Sequence, residues 1–199
     1  MRDPESLTTA GTKRRPYRRD EILAAAVKLF HERGYHATGM DDIGAELGLS
    51  GPAIYRHFKG KEQILEILLL EAAQQGFETA RDVVREAPSP TEALERLVRH
   101  YVDTIAHNPE LAFVGMYERR TLSPKTRAEM ERLERLHRDE WLNALAKVRT
   151  KLSPAEARVM VRATHGMAVA ALVHRSGIAR QAEADLVVDL AMSMLMVAR

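Results

Sequence analysis

Residues 38–65, TGMDDIGAELGLSGPAIYRHFKGKEQIL, constrain this chain more than any other stretch. They divide into two short helical patterns around a glycine-bearing break, Leu47-Gly48-Leu49-Ser50, with a longer helix starting just after. Thr38 is placed to cap the first helix, with Asp41 three residues on in a capping-box arrangement. Gly48 supplies the left-handed conformation that a tight inter-helix turn needs. Ser50 caps the second helix, and Pro52 sits in its first turn, where a missing N–H costs nothing. Ile43, Leu47, Ile54 and Phe58 fall on inward faces, and Gly44 leaves room for the helices to cross closely. The pattern predicts a helix-turn-helix, whose second helix enters a DNA major groove.

A helical hairpin with no nucleic-acid role would share the turn, so the exposed chemistry has to decide. Gly51, Pro52 and Ala53 are small and allow close approach to base edges. Tyr55, Arg56 and His57, then Lys59 and Lys61, are donors suited to phosphate. Thr38 and Ser50 complete the expected DNA-contacting set, with Thr38, Tyr55, His57 and Lys61 on phosphates.

Residues 20–65 resemble the N-terminal domain of the TetR family of bacterial transcriptional repressors. The likeness runs from DEILAAAVKLFHERGY through Thr38 and Ile43-Gly44 to Leu49-Ser50, Ile54-Tyr55, His57-Phe58, Lys61-Glu62 and Leu65. Gly44 and Leu47 stand where alanine is frequent in the family, and Pro52 where glycine is frequent. The rest of the chain is similar only in length and helical pattern. The resemblance implies a homodimeric repressor of a palindromic operator, released when a small molecule binds the second domain.

Composition agrees with a compact helical protein. With 45% hydrophobic and 29% charged residues the chain is globular. The absence of cysteine removes disulfides and thiolate metal sites and fits a reducing compartment. No apolar run approaches the roughly 18–20 residues of a membrane span, and MRDPESLTTA lacks a signal-peptide core. A cytoplasmic location is expected. Net charge is only +2, yet GTKRRPYRR at 11–19 holds Lys13, Arg14, Arg15, Arg18 and Arg19 and no acid. Such a run is usually a solvated face. Here it leads into the motif, so residues 1–17 are read as a basic flexible arm, with Arg14, Arg15 and Arg18 adding DNA contacts.

Periodicity predicts an all-α chain of about nine helices. A helix over 19–33 and the two motif helices give a DNA-binding domain at 18–62, and the remaining helices a domain at 63–199. The helix starting at Lys61 is apolar nearly all round in ILEILLLEAA and must be buried on several sides. Further helices are predicted over about 91–107, a short one ending near Thr121, then 124–151, 154–175 and 182–198. Leu186, Val187, Leu190, Met194 and Val197 form the expected inner stripe of the last one.

The final two helices carry more small and apolar residues than one core face needs. Ala163, Gly166, Ala170, Val187, Val188 and Leu195 are the expected dimer interface, since an isologous contact would bury the surplus. A thick monomeric core is the alternative. Larger inner-face residues between the fourth and eighth helices, Tyr101, Phe113, Met116, Tyr117, Met130, His137, Trp141, Met160 and Met167, are ordinary core by periodicity alone. The resemblance makes them an expected pocket for a hydrophobic effector, with an acyl or acyl-CoA compound as the guess. Glu118-Arg119-Arg120 is a solvated helix end or an anion-receiving pocket mouth. No histidine pair has zinc spacing with a third ligand, so neither metal nor cofactor is expected. The remaining alternative is a helical enzyme or structural protein with an incidental motif. It lacks a phosphate loop, a G-x-S-x-G elbow, H-E-x-x-H and any cysteine nucleophile.

Overall fold

Three Ser-Pro pairs and one glycine turn set much of the helical framework. The computed structural model describes residues 19–174 and 176–197. Within them lie nine α-helices, a short 3₁₀ turn and no strand. The helices are α1 (Arg19–Arg33), α2 (Met40–Glu46), α3 (Gly51–Tyr55), α4 (Lys61–Glu86) and α5 (Pro90–His107), then α6 (Pro109–Tyr117), α7 (Pro124–Val148), α8 (Pro154–Leu172) and α9 (Arg180–Met196). Ser89, Ser123 and Ser153 cap α5, α7 and α8, accepting from the backbone N–H of Glu92, Thr126 and Glu156. Proline follows each serine at N1, where no hydrogen bond is lost. Glu156 returns a bond to the Ser153 N–H at 3.0 Å, completing a capping box.

The motif helices are capped differently from the sequence expectation. Gly39, not Thr38, is the N-cap of α2, and Asp42, not Asp41, accepts from the Gly39 N–H at 2.7 Å. Thr38 turns its hydroxyl onto the carbonyls of Gly34 (2.9 Å) and Leu29 (3.3 Å), closing the end of α1. Ser50 occupies the N-cap of α3 without a side-chain cap bond. Gly48 has φ +63°, as the turn requires. Gly44 sits where a Cβ would come within 3.1 Å of the Leu49 carbonyl oxygen and 3.3 Å of Ile54. Gly44→Val is therefore expected to lower stability by about 1–3 kcal/mol through overpacking, read as a drop in melting temperature.

Two apolar clusters make the core. The first joins Ile22, Phe30, Tyr35, Ile43, Ile54 and Phe58 to Ile64, Leu65, Leu68 and Leu69 of α4, and reaches Val114, Leu122 and Met130. The second gathers Leu94, Leu97, Trp141, Leu145, Val161, Leu172, Val187 and Leu195 around α5, α7, α8 and α9. Apolar packing is thus continuous across the boundary expected at 62/63, because α4 lends its first three turns to the motif. Met130, placed in the effector pocket by the family resemblance, belongs to this first cluster. No helix among the described residues is long and apolar enough to cross a membrane.

Candidate nucleic-acid interface and effector region

The recognition surface follows from how α3 is anchored. Ile54 and Phe58 are almost wholly buried, which turns Pro52, Tyr55, Arg56, His57 and Lys59 to solvent. Tyr55 is 55% exposed and has no side-chain partner among the described residues. A hydroxyl, a guanidinium, an imidazole and an ammonium thus share one end of a short helix. Lys28 and Glu46 pair at 2.6 Å and tie α1 to α2, raising the lysine and lowering the carboxyl in pKa through their mutual bond.

Three expected contacts are placed elsewhere. Ala53 is only 8% exposed, so its methyl is largely withdrawn from the solvent side of α3. Thr38 is 1% exposed with its hydroxyl spent inside the protein, so it is removed from the phosphate set. Lys61 donates to the carbonyls of Tyr35 (2.9 Å), His36 (3.2 Å) and Thr38 (2.9 Å), in place of an open position for phosphate. Arg14, Arg15 and Arg18 lie outside the described residues, as does the expected arm at 1–17.

The expected effector residues separate into groups. Tyr101, His137 and Trp141 meet between α5, α7 and α8, with Met160 and Met167 packed against the same cluster. His165 joins them, its ring stacked on His137 at 5.3 Å and edge-on to Trp141 at 4.5 Å. His165 is not among the residues expected in the pocket. Its spacing of four from Val161 and three from Ala168, both buried, is the signal that puts it inward. Phe113 lies apart, between His31 of α1 and Tyr117, and Met116 and Tyr117 are exposed. Arg119 is paired with Glu134 at 2.6 Å. The ring cluster is closed by its own contacts. An open recess of about 370 Å³ lies instead between α4 and α7, lined by Leu70, Glu71, Gln74, Gln75, Glu78, Glu129 and Leu133. None of the expected pocket residues borders it.

Burial controls the chemistry of the ring cluster. Trp141 Nε1–H donates to His137 Nε2 at 3.2 Å, which fixes that nitrogen as an acceptor and the imidazole as neutral. Burial pushes His137 down to about 4 and His165 to about 3, with repulsion from His100 and Arg138 adding to the first and from His137 and Arg138 to the second. The Tyr101 hydroxyl is pushed above its usual range, again by burial. Unfolded, both histidines take up protons near pH 6.5, whereas the folded pair does so only near 4 and 3. Their contribution is complete above pH 6.5 and lost as pH falls from there toward 4. Acidification from pH 7 to 5 is expected to remove roughly 2–4 kcal/mol of stability. Denaturant melts against pH check this, and His137→Leu combined with His165→Leu should flatten the dependence over that window.

The last two helices expose a patterned apolar face. On α8, Val159, Ala163, Gly166 and Ala170 recur at helical spacing and are exposed; on α9, Leu186 and Leu190 are 51% and 50% exposed, and Val197, just past its end, is 48% exposed. Val187, Val188 and Leu195, expected at the dimer interface, are 3%, 6% and 0% exposed and belong to the protomer's own core. Leu186 and Leu190, expected inward, point outward. The register of α9 is rotated from the expected one because Ala184, Val187, Val188, Ala191 and Leu195 form the stripe that meets α5 and α8.

Comparison with known proteins bears on this arrangement. The family model for bacterial regulatory proteins of the tetR family matches residues 22–68, and a tetracyclin repressor-like C-terminal domain model matches residues 87–174. The chain belongs to the TetR family. Its all-α architecture with an N-terminal helix-turn-helix is the fold of that family. The chain is similar to the transcriptional activator FasR of Mycolicibacterium smegmatis, 32% identical over 48% of this chain and 44% of that one. It is similar also to the repressor KstR2 of the same organism, 30% identical over 64% of this chain and 63% of the relative. These matches span less than two thirds of the relatives' length. Among solved structures, FadR of Bacillus subtilis in complex with stearoyl-CoA superposes with a TM-score of 0.68, 23% identity, and coverage of 89% of this chain and 99% of that one. At that identity the likeness is one of fold.

Proposed function

We propose that the chain is a homodimeric transcriptional repressor that binds a palindromic operator and is released by a small hydrophobic effector, an acyl or acyl-CoA compound. The observation that carries the reading is the outward face of α3: Tyr55, Arg56, His57 and Lys59 stand exposed on a helix anchored by Ile54 and Phe58. Such a surface supplies phosphate ligands and places Pro52 and the α3 backbone toward base edges. The exposed faces of α8 and α9 support the dimer, because an isologous contact there removes a continuous apolar stripe from water. Two-fold symmetry then sets operator half-sites at least one helical turn, ~34 Å, apart. The effector reading is supported by the stearoyl-CoA bound to the similar FadR.

Selection of bound duplexes from random DNA, followed by footprinting, tests the operator. A palindromic site is expected, and protection of one asymmetric half-site overturns the dimeric reading. Stearoyl-CoA titrated against Trp141 fluorescence, with and without the selected DNA, tests release. Linkage requires weaker binding in the presence of operator, by the factor with which the ligand weakens DNA binding. Equal affinities in the two titrations exclude this compound as the releasing effector.

A further inference from the structure

The open groove of about 370 Å³ between α4 and α7 is one-sided in charge. Leu70 and Leu133 supply its apolar part, and Glu71, Glu78 and Glu129 its carboxylates, beside Gln74 and Gln75. Among the described residues no lysine, arginine or histidine lines it. Glu129 shares its charge with Arg132, and Glu78 accepts from the neutral Gln74 amide. Glu71 takes the Arg19 guanidinium at 2.8 Å. Arg19 is the last residue of the basic run GTKRRPYRR and the first of α1. One cation of that run is therefore already bound at the wall of the groove. The others, Lys13, Arg14, Arg15 and Arg18, come immediately before it in the chain and lie outside the described residues.

From this juxtaposition we infer that the groove is the docking surface for this chain's own basic segment, residues 13–18, while no DNA is bound. Lysine and arginine stems lie along apolar surface while their charged heads stay at its rim. Two leucines flanked by three glutamates offer that combination. The reach is sufficient. From Glu71 to Glu78 α4 rises ~10 Å, whereas the six residues 13–18 span up to ~20 Å when extended. Glu71 and Glu129 are partly compensated by Arg19 and Arg132, so the contact is weak and salt-sensitive. The denser charge of a phosphate backbone displaces it. Docking and DNA contact by the same cations exclude each other, so the groove lowers DNA affinity until a duplex draws the segment out. That consequence rests on the DNA-binding reading; the docking does not.

The chain has no cysteine, so Thr12→Cys carries a single nitroxide spin label on the full-length protein. At low salt the label is expected to broaden the amide signals of residues 70–78 and 129–133. The signals should recover at high salt and in the double variant Glu78→Gln with Glu129→Gln, whose side chains face solvent. Unbroadened signals, or broadening that survives both changes, overturn the docking. Mixing spin-labelled protein with isotope-labelled protein that carries no label identifies the occupant: broadening in the mixture comes from a second copy and overturns the contact within one chain. On a mixed-sequence duplex at low salt, the double variant is expected to bind at least about threefold more tightly than the unsubstituted chain. In a chain carrying Lys13→Gln, Arg14→Gln, Arg15→Gln and Arg18→Gln, the same two substitutions should leave binding nearly unchanged. An equal gain in both backgrounds is mere removal of negative charge and overturns the competition with DNA. If the unsubstituted protein binds no duplex, the regulator reading falls, and the spin-label measurement judges the docking alone.

Discussion

Leu190→Asp is expected to sediment as a monomer, to keep its helical content, and to lose operator binding at least ~100-fold. Leu190 is 50% exposed on the protomer, so a carboxylate there meets water and does not disturb the core. In a two-fold contact formed by α8 and α9, the same carboxylate would be buried beside its symmetry mate. An unpaired buried charge costs several kcal/mol, and two like charges cost more. Loss of the dimer forfeits simultaneous engagement of two half-sites, typically 10²–10⁴ in apparent affinity. Gly166→Arg is the independent companion, since Gly166 is exposed and a Cβ there meets nothing within 4 Å. Sedimentation and gel shift on both variants decide the matter: dimers with intact binding would place the interface elsewhere. A charge at Leu195 would be a poor test. That side chain is fully buried in its own protomer, so the substitution would unfold the chain before it separated two of them.

Trp141→Ala is expected to cost about 3–5 kcal/mol of stability, the usual range for truncating a buried tryptophan. The side chain has no exposed surface and contacts the rings of Tyr101 and His165. Its loss removes the donor that holds His137 Nε2 and leaves that nitrogen buried without its partner. The substitution should therefore lower the denaturant midpoint more than Leu142→Ala on the same helix, where the side chain is only partly buried. Equal losses at the two positions would mean that the ring cluster adds nothing beyond apolar area. Trp141→Phe retains much of that area while removing the N–H, and separates the two contributions.

These predictions rest on different levels of information. Local chemistry was legible in the chain itself. Ser89, Ser123 and Ser153, each followed by proline, announce helix starts because a serine oxygen and a missing N–H answer needs confined to one turn. Gly48 likewise states its own left-handed turn, and Ile54 with Phe58 state which side of α3 is buried. Family membership was legible for the same reason, since its motif is local and continuous.

Where two helices meet was not legible, because it depends on which neighbour competes for a face. α9 carries apolar residues on two sides, so its periodicity admits two registers. Packing against α5 and α8 assigns Val187, Val188 and Leu195 inward and leaves Leu186 and Leu190 for water or a partner. Met130 was core by spacing and a pocket residue only by family resemblance, and it packs with the front of α4 in the motif's core. Thr38 and Lys61 read as phosphate ligands by residue type. The carbonyls of the α1–α2 corner, exposed only once α1 has ended and α4 has crossed behind it, claim both side chains. Sequence fixes what a side chain can bond to; only the assembled fold decides which unsatisfied group reaches it first.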